Sequence, residues 1–85
     1  MVVEVSDTTL ARDRGVKKTI YARAGIPIYW IINLVDHCVE VYTDPTGPGK
    51  KPTYREVEIY GPKDSIPFIL DGTELGQIKV KHLLP

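Results

Sequence analysis

The chain opens on an apolar run from Met1 to Val5 that is broken by one acid, Glu4. That pattern predicts a short strand. Ser6, Asp7, Thr8 and Thr9 then offer several helix N-caps, and a helix is expected from about Thr8 to Ala24. Gly25 suits its C-terminal stop and Pro27 prevents continuation. Ile28 to Val35 is nearly continuous apolar and β-prone, as in a strand covered on both faces. Strand, helix and buried strand make a βαβ unit, so the first two strands should run parallel.

From His37 the period changes to two. Val39 and Val41 share one face, with Cys38, Glu40 and Tyr42 on the other. Thr53 to Tyr60 alternates as well, and a turn-rich connector, Asp44 to Lys51, lies between. This predicts an antiparallel hairpin with a mobile tip. Ser65 to Leu70 reads as a short edge strand, since Pro67 interrupts it. Ile78 to Leu84 fits a strand or a helical turn equally well. The predicted fold is α+β: one domain over residues 1–85, with a mixed sheet, one main helix and a hairpin extension. An all-β barrel is the alternative.

On a helical wheel Leu10, Asp13, Lys17, Ile20, Tyr21 and Ala24 share the face that should pack on the sheet, while Arg12, Lys18, Ala22 and Arg23 lie elsewhere. Gly15 inside the helix costs about 1 kcal/mol relative to alanine and invites a packing or functional reason. Asp13 and Lys17 are charges on the packed stripe, and they need partners or a purpose. One reading is an i,i+4 ion pair at the rim. The other is that Lys17 points at a site at the sheet edge, where it could stabilise charge developing on a phosphate. Glu4 stays open in the same way, between an outward strand residue and a metal-binding carboxylate.

Composition narrows the classes. Eleven basic residues balance eleven acidic ones, so net charge gives no general pull toward nucleic acid. The single cysteine, Cys38, leaves no disulfide within the chain and suggests a reducing compartment, with the cytoplasm as the expected location. No apolar stretch is long enough for a membrane helix, and no signal peptide is visible. His37, His82 and Cys38 lack zinc spacing, and no phosphate-cradling glycine loop precedes a helix. Five basic residues against one acid between Arg12 and Arg23 could meet phosphates, or simply form a solvated helix face.

Taken in order, Val2-Val3-Glu4-Val5-Ser6, Asp13-Arg14-Gly15 with Lys17, Tyr21 to Pro27, and Tyr29-Trp30-Ile31 resemble the Uma-two family of restriction endonucleases, a branch of the PD-(D/E)xK nucleases. The likeness is close over residues 2–35 and looser beyond. It implies Mg²⁺-dependent hydrolysis of DNA phosphodiesters. By resemblance Glu4 and Lys17 are the catalytic pair, and Glu4 with the Val5 carbonyl holds the metal. Ser6 stands where many superfamily members carry their lysine, and Asp13 and Tyr21 support the helix face.

The family carries a Pro-Asp pair just before the apolar run, and the chain starts at that edge. The implied architecture is therefore a truncated, carboxy-terminal part of a restriction-endonuclease-like fold, with cleavage impaired for want of the upstream aspartate. Ile28 replaces an acid usual before Tyr-Trp, and Asn33 replaces an aspartate usual after the strand. The alternative function is a non-catalytic relic or interaction module. In either case the first strand would lack its usual neighbours, which predicts a homodimer or other self-association.

Overall fold

The computed structural model describes residues 1–7 and 11–85, with the side chains of residues 11–14 excepted. In chain order the elements are β1 (Val2–Ser6), α1 (Ala11–Arg23), β2 (Ile28–Asn33), β3 (Cys38–Pro45), β4 (Tyr54–Tyr60), β5 (Ser65–Leu70), β6 (Thr73–Lys79) and a 3₁₀ turn (Val80–His82). The protein is mixed α+β. A four-stranded sheet has the order β1-β2-β3-β4, and β5 and β6 form a separate hairpin. β1 and β2 are parallel, as the βαβ pattern predicts, and the other neighbours are antiparallel.

The near-continuous apolar reading of β2 has a simple cause, because the strand feeds two cores. On the helix side Ala22, Tyr29, Ile31, Tyr42 and Tyr54 pack together with Val2 and Tyr21 against them. On the other side Trp30, Ile32 and Val39 meet Ile66 and Val80 from the β5–β6 hairpin and the 3₁₀ turn. Trp30 stands edge-on to Phe68 at 6.3 Å between ring centres. β2 stops at Asn33, two residues before the predicted end. The Asn33 side-chain oxygen accepts the Val35 and Asp36 amides at 3.1 and 2.9 Å, which turns the chain.

Three expectations change. Ala22, placed off the packed face by the wheel, is fully buried, whereas Ile20 is 52% exposed. The helix therefore meets the sheet through Tyr21 and Ala22, with the Lys18 ammonium over the Tyr42 ring at 5.4 Å. A Cβ at Gly15 would meet nothing within 4 Å, so no close approach demands this glycine. The expected hairpin tip is tied to the helix end: the Gly47 amide donates to the Ala22 carbonyl and the Tyr54 hydroxyl to the Ile26 carbonyl. The Ala22 carbonyl also accepts the Gly25 amide, so the Gly47 bond adds a second donor at the helix terminus.

β6 was not expected from its sequence. Asp71 and Gly72 both have positive φ, 50° and 78°, and close the β5–β6 hairpin as an Asp-Gly turn does. The tail resolves into both of its alternatives, with Ile78 in β6 and the helical turn immediately after. The start of the predicted helix, Thr8 to Leu10, lies outside the described residues.

Candidate functional site

β1 alternates, so Val2, Glu4 and Ser6 share the helix-covered face while Val3 and Val5 face the other way, 48% and 63% exposed. Lys17 and Tyr21 are four residues apart on α1 and so lie one above the other on one helix face. Both reach Glu4. The Tyr21 hydroxyl donates to Glu4 Oε1 at 2.6 Å, and Lys17 Nζ donates to Oε2 at 3.1 Å. The group sits at the surface, with the Glu4 side chain 26% and the Lys17 side chain 49% exposed.

The electrostatics follow from this geometry. The Tyr21 hydrogen bond, then the Lys17 hydrogen bond, hold the Glu4 carboxyl below its ordinary value, against a smaller opposing effect of burial. Conversely, the bond to Glu4 raises the Tyr21 phenol above its ordinary value, so it remains a donor. Tyr21 stands edge-on to Tyr29 at 4.9 Å. Burial, followed by the charge of Glu4, pushes the Tyr29 phenol far up as well. At neutral pH the site is thus an ionised carboxylate clamped by one ammonium and one neutral phenol, backed by buried aromatic rings.

Of the residues singled out from the sequence, Glu4, Lys17 and Tyr21 come together. Ser6 is one step along the same face, opposite Asn33, and its carbonyl accepts the Leu34 amide at 2.8 Å. Val5 follows Glu4 in β1, opposite Ile32. The Asp13 side chain, and with it the Asp13–Lys17 pair, lies outside the described residues.

A second carboxylate escaped the sequence reading. Glu4, Ile31 and Glu40 are successive cross-strand partners, so Glu40 is on the same sheet face two strands from Glu4, roughly 10 Å away. Glu40 is 5% exposed. Its Oε1 accepts the Tyr42 hydroxyl at 2.6 Å and its Oε2 accepts Asn33 Nδ2 at 3.0 Å. Asn33 Nδ2 also donates to Asp36 Oδ2 at 3.1 Å. Alternation put Glu40 opposite the valines, but only the strand order reveals that its face is the one carrying Glu4.

These residues do not form a divalent-cation cage. Among the described residues no three His, Cys, Asp or Glu side chains converge. Glu4 gives one carboxylate, and the next on its face, Glu40, is buried in bonds to Tyr42 and Asn33. Mg²⁺ prefers octahedral oxygen ligation from one or two carboxylates with waters and phosphate, so the described set is at best partial.

A family model matches residues 1–76 of the 85. It is Uma2, described as "Putative restriction endonuclease". No curated protein matches the chain. No helix among the described residues is long and apolar enough to cross a membrane.

Proposed function

Because the chain belongs to the Uma2 family, we propose that it is a nuclease-like domain, a carboxy-terminal portion of a restriction-endonuclease-like fold, that acts on DNA phosphodiesters through Glu4 and Lys17. The observation that carries this reading is the 3.1 Å contact between Lys17 Nζ and Glu4 Oε2 at an exposed sheet edge. An ammonium in that position stabilises charge developing on a phosphoryl oxygen. Glu4 opposes an approaching phosphate through its own charge and holds Lys17 until a phosphate oxygen takes its place. Tyr21 fixes the other carboxylate oxygen, so the carboxylate keeps one orientation. In the family Mg²⁺ would supply the activated water. Residues 1–85 offer too few ligands for it on the described side chains, so the 85-residue chain alone should cleave DNA weakly or not at all.

The test is nicking of supercoiled plasmid with Mg²⁺ or Mn²⁺ by the chain, Glu4→Gln and Lys17→Ala. Trace cleavage or none is expected. Robust cleavage lost in both variants would show that these residues assemble a complete site, through Asp13 or a second copy, and would overturn the expected impairment. Robust cleavage surviving both substitutions would overturn the assignment of the pair.

A second reading, a self-associating interaction module without catalysis, is favoured by β1. Among the described residues β1 has a strand neighbour on one side only, and Val3 and Val5 are exposed beside it. An apolar strand with an open edge is a template for pairing with another chain.

A further inference from the structure

A cluster of lysines outside the Glu4–Lys17 pair lies at the β4–β5 turn. β1, β2 and β4 run in the same direction, so their carboxyl ends share one end of the sheet. Val5, Ile32, Val39 and Tyr60 form a cross-strand row there, one residue beyond the Glu4 row. The chain leaves β4 at Tyr60 and enters a turn in which the Asp64 amide donates to the Gly61 carbonyl at 3.0 Å. Beside that turn is a cavity of about 310 Å³ lined by Pro62, Lys63, Asp64, Ser65, Lys79 and Lys81.

Two features make this more than a solvated surface. First, its frame is fixed. Ser65 is the register partner of Lys79, the Val80 amide donates to the Asp64 carbonyl at 3.0 Å, and Val80 between the two lysines is fully buried. Second, its charge is unbalanced. Lys63, Lys79 and Lys81 make no ion pair among the described residues. The one acid in the lining, Asp64, spends Oδ2 on the Gly61 amide at 2.7 Å. A chain of zero net charge thus lines one cavity with three lysines and one acid, a local positive excess that an anion would offset.

We infer that Lys63, Lys79 and Lys81 form a phosphate-binding pocket that takes a backbone phosphate of DNA, separate from the Glu4–Lys17 pair. This deepens the nuclease reading and rests on it for the identity of the anion. The pocket lies at the β4 edge beside the hairpin that covers one face of the sheet, whereas the pair lies at the β1 edge on the helix-covered face. A duplex carries one charge per about 1.7 Å of axis, so a DNA segment at this edge offers several phosphates to the three lysines. The pocket positions the backbone without reading bases, because lysine meets phosphate as a point charge.

The experiment is fluorescence anisotropy of a labelled DNA duplex with the 85-residue chain, from about 50 to about 200 mM salt. It compares the unsubstituted chain, the triple variant Lys63→Gln/Lys79→Gln/Lys81→Gln, and Lys50→Gln/Lys51→Gln at the β3–β4 connector as a control for lost charge. Each phosphate contact adds about 0.9 to the slope of log affinity against log salt. The triple variant should therefore lose about 2 to 3 of that slope, and the control should lose much less. An unchanged slope in the triple variant, or an equal loss in the control, overturns the pocket. Titration of ¹⁵N-labelled chain with inorganic phosphate separates the sources: Ser65 and Lys81 amides that shift with phosphate while DNA affinity ignores the triple substitution assign the pocket to free phosphate, and so overturn the DNA assignment. An unsubstituted chain that binds no duplex at any salt sinks the nuclease reading itself.

Discussion

Asn33→Asp puts into this chain the acid its family relatives are expected to carry, and the structure predicts that it strongly destabilises the protein rather than restoring a site. Asn33 is 2% exposed, and its Nδ2 donates to two carboxylates, Glu40 at 3.0 Å and Asp36 at 3.1 Å. The substitution removes both donors and adds a third carboxylate between them. Hydrogen bonds to charged groups are worth about 1.5–3 kcal/mol each, so the two bonds alone come to about 3–6 kcal/mol before any repulsion. Small domains hold about 5–15 kcal/mol in total, so the loss is a large part of the whole.

The new carboxyl, crowded by two others, would have a folded pKa raised above its unfolded value. Its penalty is therefore full at neutral pH and shrinks as pH falls through that raised value, where the proton restores one donor. The assay is urea unfolding followed by the single, buried Trp30. The midpoint should fall by about 1–6 M at pH 7, given a loss of about 3–6 kcal/mol and a slope of about 1–3 kcal/mol/M for small domains. The gap to the unsubstituted chain should narrow on mild acidification. A loss below about 1 kcal/mol that does not change with pH would refute the assigned roles of Asn33 and Glu40.

Tyr21→Phe removes the largest cause of the depressed Glu4 carboxyl, so the Glu4 titration by NMR should move up toward 4.5 and stability should fall by about 1 kcal/mol, at the low end because water reaches the pair. The stability Glu4 contributes is present above 4.5 and is lost as pH falls through its lower folded value, so acid unfolding should begin at higher pH in this variant; an unmoved Glu4 titration would contradict the hydrogen-bond assignment. For self-association, sedimentation velocity should show a concentration-dependent dimer that Val3→Lys/Val5→Lys converts to monomer. A monomer at every concentration for the unsubstituted chain would remove the second functional reading.

The sequence by itself determined the local grammar. The β1–α1–β2 order, the parallel pairing within it and the β3–β4 hairpin follow from a period change and from stop signals at Gly25 and Pro27, which act over a few residues. That Glu4 and Lys17 belong together was also legible, because ordered motifs matched a family before any contact was visible, whereas the bond of Tyr21 to Glu4 was not. What the sequence left undecided depends on which surfaces meet.

Ala22 is buried and Ile20 exposed because α1 is turned so that Tyr21 and Ala22 meet the tyrosine cluster of the sheet, whatever the apolar count on a wheel. Glu40 joined the face of Glu4 only once β2 lay between β1 and β3, a fact of strand order that no local pattern encodes. The Asp71-Gly72 turn was a readable hairpin signal, but Gly76 and the exposed residues around it gave β6 no alternating face. Lys63 and Lys79 stand sixteen positions apart, and only the register of β5 with β6 brings them to one cavity. Tertiary structure decided these points because burial and charge proximity are properties of pairs of elements, and a chain written in one dimension specifies its elements before it specifies their neighbours.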